Sequence, residues 1–137
     1  MTVRETAIDA IRSGGVRPHD TRGELDALFR FVRDRIHFVS DVAEVETLQS
    51  PRYTLHVGAG DCDDRATLLV AMARAVGIPA SLAFKVIAAS PRRPERFSHV
   101  YVTARIRGQA IAMDPTYSDN RLGYEYPRPF RALEVPA

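Results

Sequence analysis

The sequence contains a single cysteine, Cys62, and a single lysine, Lys85, among 137 residues. One cysteine cannot close an internal disulfide, and without a CxxC pair the common structural zinc sites are excluded. Cys62 is therefore either an inert buried thiol or a reactive one. Long apolar runs are also missing. Met1 to Ser13 is broken by Arg4, Glu5, Asp9 and Arg12, so neither a signal peptide nor a membrane span is expected. The reading is a soluble, cytoplasmic protein with no membrane partner. Excess charge of one sign is lacking as well. The pI is near 9.0, yet the net charge is only +2 and acidic residues interleave with basic ones, which argues against a nucleic-acid partner. Only Arg92, Arg93 and Arg96 form a dense basic group, in a Pro-punctuated segment that reads as a solvated loop. Repeats and low-complexity tracts are absent, and the length and 45% hydrophobic content predict one domain over residues 1–137 with its own core.

What is present divides into helices followed by strands. Residues 3–12 suit a short helix, stopped by Ser13-Gly14-Gly15 and Pro18. A second helix is expected from Thr21, its N-cap, with Leu25, Leu28, Phe29, Val32 and Ile36 on one apolar stripe. Residues 38–59 are irregular, and so long a stretch points to a site. Residues 62–76 read as a helix that is apolar almost all round, which places it in the middle of the fold. Strands are expected at 81–88, 97–107 and 109–113, the last two joined by an Arg107-Gly108 turn. Residues 118–137, with Pro127, Pro129 and Pro136 and the aromatics Tyr124, Tyr126 and Phe130, form a peripheral C-terminal segment. The architecture is α+β: helices first, with the cysteine-bearing helix packed on an antiparallel sheet.

Gly58-Ala59-Gly60-Asp61-Cys62-Asp63-Asp64 puts the thiol where a glycine-rich loop enters that buried helix. Asp61 is the expected N-cap, Cys62 the first helical residue, and Asp63 and Asp64 fill the first turn. A free cysteine is ordinarily a small buried hydrophobe. Here it has charged neighbours on both sides at a helix mouth, where the free N–H groups of the first turn can donate to an oxyanion. The three carboxylates would raise the thiol pKa, so a cationic partner is needed, most simply an imidazolium.

Four histidines could supply it. His19 adjoins Pro18 in a turn, and His37 closes a helix. His56 competes because it is close to Cys62 in sequence. His99 has the stronger claim from strand geometry: it shares a face with Tyr101, Thr103 and Arg105, opposite Val100, Val102, Ala104 and Ile106. A two-residue turn at Arg107-Gly108 pairs Ile106 with Gln109, sets His99 opposite Thr116, and makes Asp114 its diagonal same-face neighbour. A register shift of one residue would separate the two. An edge histidine and a strand-end aspartate before Pro115 are each ordinary alone. Cys, His and Asp together suggest catalysis.

GDCDDRATLLVAMARAVGIPA resembles the cysteine-helix motif of the transglutaminase-like (papain-related) cysteine enzyme superfamily, and SHVYVTARIRGQAIAMDPTY resembles its histidine strand and following Asp-Pro strand. VETLQSPRYTLHVGAGDCDD further resembles small single-domain versions from phage and prophage genomes. The resemblance implies a papain-like core, with Cys62 as nucleophile, His99 as base and Asp114 as the orienting carboxylate. An aspartate follows the cysteine where animal transglutaminases carry a bulky aromatic, which weakens the case for cross-linking. The expected reaction is thiol-dependent acyl transfer on an amide or isopeptide bond of a protein or peptide substrate, ending in hydrolysis. The Cys62 N–H and Gln49 are the expected oxyanion donors, Arg92, Arg93 and Arg96 a rim favouring acidic substrates, and no metal or organic cofactor is required. Alternatives are transglutaminase-type amine transfer, or a non-catalytic phage structural or assembly protein that keeps the fold. In that case virion proteins would be partners and the virion a location. A weaker idea, a metal held by His99 with Asp61, Asp63 or Asp64, requires adjacent aspartates to converge from one helix start.

Overall fold

The structure, a computed structural model, describes residues 1–39, 48–88, 92, 97–127, 129 and 131–137. Helix α1 (Val3–Ser13) begins at Thr2, whose hydroxyl accepts from the Glu5 N–H at 3.0 Å. Helix α2 (Thr21–Arg35) starts one residue earlier in its logic than expected. The N-cap is Asp20, not Thr21, and its carboxylate accepts from the Gly23 N–H at 2.9 Å. A Cβ at Gly23 would stand 2.4 Å from Asp20 Oδ2, so the glycine makes room for this cap. The predicted apolar stripe holds: Leu25, Leu28, Phe29, Val32 and Ile36 are all buried.

The stretch expected to be irregular contains structure. Helix α3 (Pro51–Val57) has Ser50 as N-cap, Pro51 in its first turn and Gly58 as a left-handed C-cap at φ 67°. Proline there starts a helix and does not break one, because the N–H it lacks would have had no helical partner. Two short strands, β1 (His37–Phe38) and β2 (Ala59–Gly60), pair in parallel and carry the chain to the cysteine. His37 therefore belongs to a strand and not to a helix end. Residues 40–47 of the same stretch lie outside the described residues.

Helix α4 (Cys62–Ala75) packs against α1, α2, α3 and the sheet. Leu68, Leu69, Val70, Met72 and Ala73 are all buried, as expected of a helix that is apolar almost all round. The sheet is antiparallel with order β5-β4-β3-β6, built from β3 (Ser81–Ala88), β4 (His99–Ile106), β5 (Gln109–Met113) and β6 (Arg131–Pro136). Strand β6 lies within the expected peripheral segment and pairs with β3; periodicity did not predict it, because all six residues are solvent-exposed. Val100, Val102 and Ala104 belong to the main core with α4, whereas Tyr101 joins Ile87 and Ala112 in a second cluster on the opposite face. Arg107 and Gly108 both have positive φ, 51° and 81°, which gives the two-residue turn the twist of its strands. Ile106 consequently pairs with Gln109 and Val102 with Met113. This register delivers Asp114 to the end of the sheet where β4 begins.

The approach to Cys62 has no spare room at Gly60. A Cβ there would lie 2.7 Å from the Asp64 Cβ, and Asp64 is buried and held by hydrogen bonds. Gly60→Ala is expected to destabilise the protein by about 1–3 kcal/mol, read as a lower urea midpoint at constant slope. An unchanged midpoint would mean that the loop yields.

Candidate active site

The helix mouth that carries Cys62 is fixed by one carboxylate. Asp64 Oδ2 accepts from the Asp61 N–H at 3.1 Å and the Asp64 N–H donates to Asp61 Oδ1 at 3.0 Å, a reciprocal capping box. Asp64 Oδ1 accepts from the Gln49 N–H at 2.8 Å, and Gln49 Oε1 accepts from the buried Thr54 hydroxyl at 3.0 Å. Cys62 is thus the first residue of a tightly started helix, half-buried, with Gln49 tied to the same turn.

Across from it, β4 opens with His99 and β5 ends just before Asp114. His99 Nε2 lies 2.8 Å from Asp114 Oδ2. The other carboxylate oxygen accepts from the Thr116 hydroxyl at 2.6 Å and the Thr116 N–H at 3.2 Å, and Asn120 Nδ2 donates to the Asp114 carbonyl at 2.9 Å. Thr116 Oγ1 also lies 3.5 Å from His99 Nε2, and Cys62 is close enough for its sulfur to raise the imidazole pKa. With Nε2 committed to the carboxylate, Nδ1 is the ring nitrogen left for the sulfur. Tyr101 and Tyr126 flank the ring, with centroids 5.8 and 6.3 Å away.

Burial has the largest single effect on His99 and would lower its pKa. The hydrogen bonds and negative charges of Asp114 and Cys62 together prevail, and the pKa is pushed up to about 9. Burial likewise opposes ionisation of Asp114, but His99 and Thr116 hold its carboxyl below the ordinary carboxylate range. The arrangement therefore favours an imidazolium between Asp114 and Cys62. Arg65, three residues after Cys62, is buried beside them.

Of the sequence-derived candidates, Cys62, His99, Asp114 and Gln49 stand at this one place. His56 does not: it lines a groove of about 830 Å³ with Met1, Thr6, Phe31 and other residues of α3. Arg92 is exposed, and Arg93 and Arg96 lie outside the described residues. Among the described residues no group of three or more His, Cys, Asp or Glu could hold a metal ion, the suggested set of His99 with Asp61, Asp63 or Asp64 included. No helix among them is long and apolar enough to cross a membrane. Thr54, Arg65 and Asn120 were missed from the sequence. The bond from Thr116 to Asp114 has a local signal, since Asp side chains commonly bond the backbone two residues on. Arg65 depends on contacts remote in sequence, and Thr54 and Asn120 on bonds five and six residues away that no motif marks.

The model of the transglutaminase-like superfamily matches residues 12–115, which covers most of the chain, so this protein belongs to that superfamily. Comparison with curated protein sequences finds no match. Among solved structures it is similar to a protein from Cytophaga hutchinsonii provisionally described as a cysteine protease, at 25% identity and a TM-score of 0.59. That likeness covers 83% of this chain but only 37% of the Cytophaga protein, so the chain spans little more than a third of that relative. It is also similar to Legionella pneumophila LapG, at 18% identity and a TM-score of 0.67, over 96% of this chain and 76% of LapG. A calcium-bound form of LapG matches at 16% identity and a TM-score of 0.64, over 100% of this chain and 81% of that one. The LapG likenesses establish the fold, the expected papain-related α+β arrangement with the cysteine helix packed on an antiparallel sheet.

Asp114→Asn removes the charge that sustains the imidazolium, so the His99 pKa should drop from about 9 toward or below the ordinary 6.5, read from its ring signals in an NMR titration. Linkage gives a second readout. A group whose folded pKa is raised stabilises the fold fully below its unfolded pKa and loses that effect as pH rises through the folded one. The melting temperature should therefore fall between about pH 6.5 and pH 9, and His99→Gln should flatten that window.

Proposed function

We propose that this protein is a thiol-dependent hydrolase of amide or isopeptide bonds in protein or peptide substrates, with Cys62 as nucleophile, His99 as proton carrier and Asp114 as the carboxylate that orients it. One observation carries the reading: His99 Nε2 is engaged by Asp114 at 2.8 Å, which leaves Nδ1 for Cys62, whose sulfur raises the pKa of the same imidazole. That division of the two ring nitrogens is what an activated thiol requires. The Cys62 thiolate attacks the carbonyl carbon, and the imidazolium gives its proton to the departing amine. A water molecule then deprotonates onto the neutral imidazole and cleaves the thioester, returning the thiol and releasing the acid.

The developing oxyanion would be received by the Cys62 N–H and by Gln49 Nε2. Gln49 suits that role because its backbone is anchored to Asp64 and its Oε1 is occupied by Thr54, leaving the amide nitrogen to donate. Hydrolysis is favoured over amine transfer because Cys62 is only half-buried, and transfer to an amine needs water kept out. The provisional protease description of the Cytophaga protein agrees with it. We further read residues 1–137 as one catalytic domain needing no metal or organic cofactor, acting in the cytoplasm. The neighbours named above are bacterial proteins, so a phage origin and virion partners draw no support from them.

Iodoacetamide should alkylate wild-type Cys62 rapidly even below neutral pH, and His99→Ala should slow that labelling. Cys62→Ala should reduce cleavage of a quenched peptide library by at least about 10³-fold, with amine released and no labelled amine incorporated. Cleavage surviving in Cys62→Ala would sink the assignment, and amine incorporation would move it to transfer.

A further inference from the structure

Arg65 follows Cys62 by three residues on α4 and is only 2% exposed. Burying a guanidinium costs several kcal/mol unless its charge and donors are matched. The donors are largely matched: the side chain reaches the carbonyls of Arg33 at 3.3 Å, Thr116 at 3.2 Å and Pro115 at 2.5 Å. Two of those carbonyls directly follow Asp114, and the third belongs to α2. The remaining Nε is buried without a partner. Carbonyls are neutral, however, so they satisfy the donors without balancing the charge.

The negative charge that can balance it is that of Asp114, joined by a thiolate whenever Cys62 ionises. Burial is the strongest influence and lowers the Arg65 pKa, while these two groups raise it. A guanidinium nevertheless stays protonated in proteins, unlike an imidazole. Among the described residues the helix mouth also carries the carboxylates of its N-cap Asp61 and of Asp63 and Asp64 in its first turn, with His99 from β4 and Arg33 from α2 nearby. Those of α3, Arg52, Tyr53 and His56, line the separate groove, and those of α1, Arg4, Glu5, Asp9 and Arg12, are exposed. Three carboxylates thus oppose a thiolate at Cys62, and His99 gives up its charge when it protonates a leaving group.

We propose that Arg65 is a positioning residue of the Cys62–His99–Asp114 site: it clamps the Pro115-Thr116 backbone onto the cysteine helix, so that Asp114 meets His99, and supplies the fixed positive charge that keeps Asp114 and the Cys62 sulfur anionic. The proposal rests on the functional reading above. Unlike His99, Arg65 keeps its charge through every step, so the site never becomes an uncompensated cluster of anions.

Arg65→Met keeps much of the side-chain volume and removes the charge; Arg65→Lys keeps the charge but loses the planar fork that spans three carbonyls. Melting temperature reports the structural loss in both. Cys62 alkylation by iodoacetamide between about pH 5 and pH 9, and kcat and KM on a cleaved peptide, report the rest. Arg65→Met is expected to slow alkylation at about pH 6 by roughly ten-fold, through a raised thiol pKa, and to lower kcat at least as much with KM nearly unchanged. Arg65→Lys should keep the wild-type alkylation profile with a reduced kcat. A folded Arg65→Met with wild-type alkylation and kcat overturns the proposal. If that variant does not fold, a wild-type kcat in Arg65→Lys does so instead. Should wild-type Cys62 itself show no reactivity at acid pH, the functional reading fails first; intact wild-type reactivity with no effect at Arg65 removes only this inference.

Discussion

Both oxygens of the Asp64 carboxylate are spoken for, one by the Asp61 N–H and one by the Gln49 N–H, and this pair of bonds decides where α4 begins. A helix start that could slide by one residue would turn Cys62 by about 100° around the axis, since each residue advances the helix by that angle. The reciprocal cap with Asp61 removes that freedom, and Gly60 leaves no gap behind it. The same carboxylate joins segment 48–50 to the mouth of the helix, so nucleophile and proposed oxyanion donor share one anchor. The acidic first turn that disfavours a thiolate is thus also what aims the thiol. Part of its electrostatic cost must be met from outside the helix.

That compensation arrives on the β4–β5 hairpin, where geometry depends on a turn far from the site. Arg107 adopts a positive φ that residues other than glycine seldom take, and Gly108 follows it. The two-residue turn sets Ile106 against Gln109, and strict alternation then carries the register down to Val102 and Met113. His99 and Asp114 meet because both are counted from that turn. A slip of one residue would send the imidazole and the carboxylate to opposite faces. Histidine and aspartate therefore sit on rigid strand ends, and the cysteine on a rigid helix end.

Much of this was readable from residues alone, for reasons that differ by element. The stripe of α2 and the all-round apolarity of α4 show in sequence because burial repeats at helical period. The hairpin register follows from turn length, and the Asp61 cap from residue type. The miss at α3 came from reading residues 38–59 as irregular, although Ser50 before Pro51 and Gly58 after Val57 bracket a helix of two turns. Strand β6 escaped because an exposed edge strand has no buried face to impose alternation. Arg65 escaped for a deeper reason. In sequence it reads as one more charged residue in an acidic first turn, and its burial depends on carbonyls returning from positions 33, 115 and 116 and on the charge of Asp114.

The hydrogen bonds around Asp114 also constrain which proton can move in the proposed reaction. Its side chain is 1% exposed, yet it accepts from His99, from the Thr116 hydroxyl and from the Thr116 N–H, which together keep it ionised. Such a carboxylate is a poor proton acceptor, so the Nε2 proton of His99 stays between the two side chains. In the proposed reaction the proton that travels to a leaving amine is then the one on Nδ1, the nitrogen not bonded to Asp114. Asp114 and Thr116 need not move during attack or protonation, and the raised pKa of His99 favours having the Nδ1 proton in place before the bond is attacked.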